Sequence, residues 1–581
     1  MCGIVGVINE ASTTEEEVVK MIEKVRYRGI DEQGVERIGP AILGHCRLAV
    51  VDPENGMQPM TNEDGSVMVT FNGEIYNFVE LREELKAKGH VFKSRCDTEV
   101  LVHLWEEEGE AMLSRLIGMY TFFIWDDNQK TGMLARDRQG IKPCFVADYK
   151  GGTVFASEMK SIFALPGFER EINDNALKEV FAFNYTVPHH TCFQGINQLE
   201  PGHYMLFKPG APPVKKQYWE WPFRQEREEI DPETFEAMLD DAVRLQMRFD
   251  VDGGLYLSGG VDSSVVAAHL LKQWNRDQLD AVGLNFSESQ YSEYEYSKEA
   301  ASLLNINLKE ALISWEMIPE VAEKVSYHAE QPHGDFSFFL FHILASRANR
   351  GGKIVMFTGD GPDEAMFGFG HNERYFHQQT RMNFSLRNYF DVICYMKPEM
   401  RAKLLDPDFE ARTTDPVDRF EEILDPWRDL EPVEQIMAYE CTSLMPGNNL
   451  VKGDRMGACW STEGRAPFLD HRVTEAMVKL PVNQKFREGY GKYFLKNYAL
   501  RKFPRQLIFK KKSMPTTPIG EWIKDPLFDW AHDLLSSNTN PRFQTQGMVD
   551  LLLAHQKGEG NYTRELRTLL MTQLWLRNFF N

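Results

Sequence analysis

The feature that most limits what this chain can fold into is a change in apolar patterning part-way along it. Up to about Phe207, short β-branched and aromatic runs (AILGHCRLAVVD, SVMVTFNGEIYN, MYTFFIWDD, TGMLARD, TVFASE) are divided by Gly, Asn and Asp turns, the pattern of antiparallel strands. TTEEEVVKMIEKVRYRG, NFVELREELKAKGH and DTEVLVHLWEEEG interrupt them with the spacing of amphipathic helices. KPGAPPVKKQYWEWPFRQEREEID then breaks the periodicity with prolines and mixed charge, which reads as a linker. Beyond it LYL leads into SGGVDSS and the helix VVAAHLLKQW, DAVGLNF into YSEYEYSKEAASLLN, and KIVMF into TGDGPDE. Strands alternating with helices imply a parallel sheet covered on both faces, with ligands at the carboxyl ends of its strands. After Phe367 the pattern is mainly helical. The expected organisation is an α+β domain over 2–207, a linker over 208–230 and an α/β domain with a helical C-terminal part over 231–581.

Composition narrows the function. The 581 residues carry 65 basic and 86 acidic side chains, a net charge of −21, so nucleic acid and anionic membranes are poor partners. No apolar run approaches the roughly 20 residues that span a bilayer, and the N-terminus lacks the basic region and apolar core of a signal peptide. A cytoplasmic location is expected. The 8 cysteines are scattered without CxxC or Cys/His clustering, which excludes a zinc finger or disulfide framework and makes most of them buried thiols.

Cys2 is the exception. Removal of Met1 would leave it with both a thiol and a free α-amine, so that one residue holds nucleophile and base. The α-amine titrates near pH ~8 and can take the thiol proton directly or through water. Taken alone, a cysteine on a frayed terminus is the more ordinary reading. In the second half, SGGVDSS lies between a buried strand and a helix. There the backbone N–H groups and hydroxyls of Ser258, Gly259, Gly260, Asp262, Ser263 and Ser264 can surround an anion. A tight turn followed by an N-cap is the plainer alternative. TGDGPDE supplies carboxylates near the same sheet edge, making Asp262 and Asp363 candidates for Mg²⁺ bound to phosphates.

MCGIVGV, RYRGIDEQG, GHCRLAVVD, FNGEIYN, CDTE and RDRQGIKP occur in the order seen in class II glutamine amidotransferase domains, whose fold is the N-terminal nucleophile αββα sandwich. By that resemblance Arg47 would hold the α-carboxylate of glutamine through a bidentate fork, and Glu74 and Asp97 its α-amino group. Asn72 and the Gly73 N–H would form the oxyanion hole. SGGVDSS resembles the pyrophosphate loop of the ATP pyrophosphatases, implying ATP as substrate, with Leu284, Thr358 and Gly359 also at the nucleotide. Lys512, in FKKKSMPTTPIGEW, aligns with the lysine that such proteins use against developing phosphate charge, while Lys510 and Lys511 read as a solvated basic run.

The two halves together resemble the glutamine-hydrolysing asparagine synthetase family over essentially the whole chain, and RMGACWSTEGRAPFLDHRV and GKYFLKNYAL extend the match. The implied reaction activates a carboxylate as its acyl-adenylate and lets ammonia from glutamine displace AMP, after passage through an internal channel. Homodimerisation is also implied. Some positions depart from the family pattern: Asp360 stands where Glu is usual, Gly464 where a larger residue is usual, and LMPGNNLVKGDR lacks paired acids. GDFSFFLFHILAS brings in Phe336, Phe338, Phe339 and Phe341, either as helix core or as the wall of a less polar acceptor pocket. L-Aspartate, another carboxylic acid, and a non-catalytic binding descendant all remain open at this stage.

Overall fold

The computed structural model describes residues 1–9, 13–379, 386–510 and 518–580. The first unit contains β1 (Gly3–Ile8), β2 (Glu32–Ile38), β3 (Ala41–Arg47), β4 (Met60–Thr61), β5 (Val67–Ile75), β6 (Gly118–Asp126), β7 (Thr131–Arg136), β8 (Phe145–Tyr149), β9 (Gly152–Ala156), β10 (Ile196–Gln198), β11 (His203–Lys208) and β12 (Ala211–Gln217). They form two antiparallel sheets, in the orders β10-β8-β9-β1-β3-β2 and β12-β11-β7-β6-β5-β4.

Every residue of β1 is buried, although a strand with one wet face would alternate. The reason is that both faces are covered. Val5 and Val7 pack with Val18, Met21 and Ile22 of the helix Glu15–Glu23. Ile4 and Ile8 pack with Leu43, Phe123, Trp125 and Phe155 between the sheets. The covering helix starts at Thr14, whose side chain accepts from the Glu17 N–H while Glu17 bonds back to the Thr14 N–H, a reciprocal cap. The helices Phe78–Ala87 and Glu99–Glu108 cover the other sheet, completing the αββα sandwich.

Of the segment 208–230, Ala211–Gln217 forms the edge strand β12 rather than linker. Pro212 and Pro213 break the periodicity that marks a strand in sequence, yet an edge position tolerates residues without an N–H. The rest of the segment is not loose either: Trp221 and Phe223 are buried and stacked 5.6 Å apart.

The second unit is a parallel sheet of β13 (Gly253–Tyr256), β14 (Asp280–Phe286), β15 (Asn307–Ile313), β16 (Val355–Phe357) and β17 (Glu463–Arg465), in the order β15-β14-β13-β16-β17. The chain runs outward from β13 to β15 and returns on the opposite side of β13 as β16. A crevice therefore opens past the carboxyl ends of β13 and β16, the topological switch point of the sheet. The C-terminal part is helical, ending in Thr563–Phe579.

A buried ionic network joins the two units. Arg28 binds Asp454 through both terminal nitrogens, at 2.9 and 3.1 Å, and Glu158 at 2.6 Å, while its Nε donates to the carbonyl of Cys2 at 2.9 Å. Arg455 reaches Glu158 at 3.0 Å and Glu330 at 2.9 Å, and Lys160 reaches Glu158 at 2.6 Å. Burial would raise the Glu158 carboxyl, but Lys160, Arg455 and Arg28 outweigh it and hold it well below the ordinary range. Tyr27 donates its hydroxyl to Glu158 and accepts from Lys160 at 2.8 Å.

Removing one partner of a buried network strands the others, at a typical cost of about 3–5 kcal/mol. Arg28→Ala is therefore expected to destabilise the chain by that order in denaturant unfolding, and it removes the donor to the Cys2 carbonyl. Parental stability in this variant would contradict the account.

Candidate active sites

Cys2 immediately precedes β1, and the pairing of Gly3 with Cys46 brings it beside Arg47 at the end of β3. The Cys2 thiol points to the Leu48 carbonyl at 3.8 Å. Burial raises it from its ordinary value, opposed by the N-terminal amine and Arg47. Across the sandwich, β5 carries Asn72, Gly73 and Glu74. Both polar atoms of the Asn72 side chain are buried with no hydrogen-bond partner among the described residues, an arrangement that ordinarily costs 1–3 kcal/mol and is retained where a ligand supplies the missing partner. Gly73 has φ +150°, and a Cβ there would lie 2.0 Å from the Met119 carbonyl oxygen, so the strand requires glycine.

Asp97 accepts from the Ile75 N–H at 2.8 Å, and Glu74 lies 3.0 Å from Arg465. Burial raises both carboxyls, and Glu463 raises them further. Two buried carboxylates in this state gain from an added cation such as a substrate ammonium. Arg47 is less open than a carboxylate fork requires: Glu32 takes Nη1 at 2.7 Å, and the carbonyls of Val51, Asp52 and Pro53 take 3.0, 2.7 and 3.0 Å contacts. Glu32, partly exposed, is the partner that a ligand carboxylate would replace.

A cavity of about 310 Å³ occupies the crevice of the parallel sheet. Ser258, Gly260, Asp262, Ser263, Leu284, Thr358, Gly359, Asp360 and Asp363 line it; Gly259 and Ser264 are not among the lining residues. Gly259 instead makes the turn: it has φ +66°, and a Cβ would meet the Tyr296 carbonyl carbon at 2.3 Å. The loop is held by its own hydroxyls, Ser258 to Ser263 at 3.0 Å. It ends at the helix Val261–Gln273, whose first residues, Val261, Asp262 and Ser263, line the cavity, and a helix N-terminus favours an anion. Asp360 accepts from the Thr358 hydroxyl at 2.7 Å and is raised by burial. Next to it, burial and Asp363 push Glu364 up to about 8, with Asn449 donating to it at 2.6 Å.

Lys512 and Lys511 lie outside the described residues. The cation found at the cavity floor is Lys492, which binds Asp262 at 2.6 Å and Asp363 at 2.7 Å. Burial opposes its charge, but the two carboxylates raise it well above the ordinary lysine range. Lys492 stands in GKYFLKNYAL, and its signal was a lysine beside glycine at the start of a helical run. Lys510, read from sequence as solvated, lines the cavity and lies 3.6 Å from the Tyr296 ring centroid. Asp262 and Asp363 converge on one cationic group, so this donor set fits a divalent ion shared with phosphate oxygens.

Thr358 and Asp360 also line a second, smaller cavity of about 50 Å³, whose other walls include Met1, Lys142, Asn449 and Gly464. This volume accommodates small molecules the size of water. Arg465 binds Glu74 and, at 3.0 Å, Glu463, which is 3.7 Å from the Met1 amine. The edge strand β17, which sequence patterning did not separate from its surroundings, thus contacts Glu74 through Arg465 and pairs with Thr358 through the Arg465 carbonyl at 2.8 Å.

The arrangement defines a glutamine amidotransferase unit joined to an ATP-using synthetase unit. Residues 1–219 match the family model for the glutamine amidotransferase domain, and residues 234–577 match that for asparagine synthase. The chain is 29% identical to glutamine-hydrolysing asparagine synthetase 1 of Bacillus subtilis over 99% of its own length and 96% of the relative's. Identity is 30% to asparagine synthetase 2 of that organism, over 83% and 67% of the two chains. For asparagine synthetase 2 of Arabidopsis thaliana it is 31%, over 70% of each. The chain belongs to the asparagine synthase family and is an ATP-dependent, glutamine-hydrolysing carbon–nitrogen ligase.

Lys492→Ala removes an ammonium that bridges Asp262 and Asp363. It is expected to lower ATP-dependent pyrophosphate release by about 10²–10³-fold, the usual effect of deleting a donor at developing charge, with glutamine hydrolysis retained. Pyrophosphate release at the parental rate would contradict this assignment.

Proposed function

We propose that the chain converts L-aspartate to L-asparagine, with glutamine as nitrogen donor and ATP cleaved to AMP and pyrophosphate. The observation that carries this reading is that Asp360 and Thr358 line both cavities, so the nucleotide crevice and the space leading back to the N-terminus meet at one carboxylate.

At the first site the Cys2 α-amine, freed by removal of Met1, takes the thiol proton, and the thiolate sulfur attacks the glutamine amide carbon. Asn72 Nδ2 and the Gly73 N–H stabilise the oxyanion. Arg47 orients the substrate carboxylate, and Glu74 and Asp97 its ammonium. Collapse of the adduct breaks the C–N bond and releases ammonia with the proton that the amine returns. Water then hydrolyses the thioester to glutamate. Loss of Met1 also opens the head of the small cavity, which Met1 lines, as a path for ammonia.

At the second site the Ser258–Ser264 loop and Lys492 hold the phosphates of ATP. Mg²⁺ held by Asp262 and Asp363 would neutralise charge on the departing pyrophosphate. The acceptor carboxylate attacks the α-phosphorus, and pyrophosphate leaves. Ammonia arriving past Asp360 attacks the acyl carbon, AMP departs, and Asp360, raised by burial, is placed to take the proton that the nitrogen loses.

Aspartate as acceptor is supported by the polar groups beside Asp360. Lys452 binds Asp335 at 2.7 Å and Asn449 at 3.0 Å, and Asn448 donates to Asp335 at 3.1 Å. Such a set suits a substrate with two carboxylates and an ammonium, each of which needs a partner when desolvated. The phenylalanine-rich segment offers less to an apolar acceptor than its composition promises. Phe336, Phe338 and Phe339 are fully buried in the core, with Phe336 and Phe339 stacked at 4.2 Å, and Phe341 lines the 310 Å³ cavity.

Pyrophosphate release with ATP, Mg²⁺ and glutamine is expected to depend on L-aspartate and to accompany asparagine formation. Cys2→Ala should abolish the glutamine-driven reaction and retain the ammonia-driven one. Glutamine hydrolysis without any response to aspartate would leave the ligase class standing and overturn the acceptor.

Gly464 adds a test of the path. A Cβ built there meets nothing closer than Thr358 Cγ2 at 3.9 Å, so a larger side chain fits, but into the cavity. Gly464→Leu is expected to lower glutamine-driven synthesis several-fold relative to ammonia-driven synthesis. Equal loss of both would show that the cavity is not the route.

A further inference from the structure

We propose that Glu63, His90, His103 and Glu106, on the outer face of the amidotransferase unit, form a site for a divalent transition cation of the Zn²⁺ class. Ligand atoms of Glu63, His90 and His103 lie within 4.8 Å of one another. His103 Nδ1 is 3.0 Å from Glu106 Oε2 and 3.8 Å from Glu63 Oε2, and His90 Nδ1 is 3.7 Å from the same Glu106 oxygen. Bonds of about 2.0–2.2 Å in a tetrahedron require ligand atoms roughly 3.4 Å apart, so these separations bracket the needed edge. Glu63, the most exposed member, has the freedom to close the remaining gap.

The surroundings are those of a ligand set rather than of a chance surface cluster. Each carboxylate has one oxygen fixed and the other turned inward: Asn62 donates to Glu106 Oε1 at 2.7 Å, and the Val91 N–H to Glu63 Oε1 at 2.9 Å. Each imidazole has its distal nitrogen toward a further carboxylate. His90 Nε2 is 3.1 Å from Glu107, which Lys88 holds at 3.0 Å. His103 Nε2, buried without a hydrogen-bond partner, is 4.0 Å from the buried Glu99. Carboxylates behind the histidines fix tautomer and orientation and strengthen metal binding. Two imidazoles favour Zn²⁺, Co²⁺ or Ni²⁺ over Mg²⁺ or Ca²⁺. The role is structural and separate from the phosphate site: the cation would tie the turn before β5, which carries Asn72 and Glu74, to the helix Glu99–Glu108 that follows Asp97.

The full-length, tag-free chain, stripped with a chelator, is titrated with Co²⁺ and then Zn²⁺. One Co²⁺ per chain is expected, with the intense visible absorption of four-coordinate cobalt, no near-ultraviolet thiolate band, loss of the signal on adding Zn²⁺ and a rise in Tm. His90→Ala and Glu106→Gln, which alter partly exposed side chains, should each weaken binding at least tenfold, and Glu107→Gln should weaken it with the four ligands intact. Absence of stoichiometric binding, a six-coordinate spectrum, or affinity unchanged in His90→Ala would overturn the proposal and leave a hydrogen-bonded His–Glu cluster.

Discussion

The position of Cys2 depends on Arg28. This one side chain, fully buried, holds the backbone of Cys2 from one nitrogen and the second unit through Asp454 from the others. A buried ion pair adds little net stability compared with well-packed apolar groups, since desolvation offsets most of the attraction. What it contributes is geometry: a guanidinium with fixed donor directions accepts few relative placements of the units. Arg465 repeats the device from the other side, joining Glu74 of the glutamine site to Glu463 and to the carbonyls of Gln246 and Arg248.

These two arginines tie the two units together at several points. The small cavity between the sites is walled by both units, with Met1 and Lys142 on one side and Asn449 and Gly464 on the other. A cavity of that size keeps its shape only if its walls stay in register. Asp360 lines both the small cavity and the larger crevice, and accepts from the Thr358 hydroxyl two residues away. Its side chain is one methylene shorter than the glutamate usual in the family, and the Thr358 hydroxyl fixes where that shorter carboxylate points.

Much of this architecture is legible in the residues alone, for identifiable reasons. DAVGLNF coincides with β14 because a parallel strand covered on both faces, buried here at Ala281, Val282, Gly283 and Phe286, is a near-continuous apolar run bounded by turn residues. The two glycine-rich loops, each read from sequence as following a strand, line one cavity at the carboxyl ends of β13 and β16. Ala211–Gln217 was hidden because its prolines imitate a linker, and Glu463–Arg465 because three residues with two charges carry no strand period. Lys492 escaped because its importance lies in two carboxylates more than a hundred positions away in the chain, a relation that local pattern cannot express. The phenylalanine stripe resolves into core at three positions and cavity wall at one, a distinction set by which way each helix face turns.

The most direct test of the coupling is isotopic. Glutamine labelled with ¹⁵N in its side-chain amide is supplied with ATP, Mg²⁺ and L-aspartate in a large excess of unlabelled ammonium, and the amide nitrogen of the product is read by mass spectrometry. Passage through the cavity predicts that the product formed by glutamine-driven turnover keeps the label at a fraction far above that of the bulk ammonium pool. Product whose label matches the bulk pool would contradict the account, because ammonia would then leave the first site for solvent before reaching Asp360.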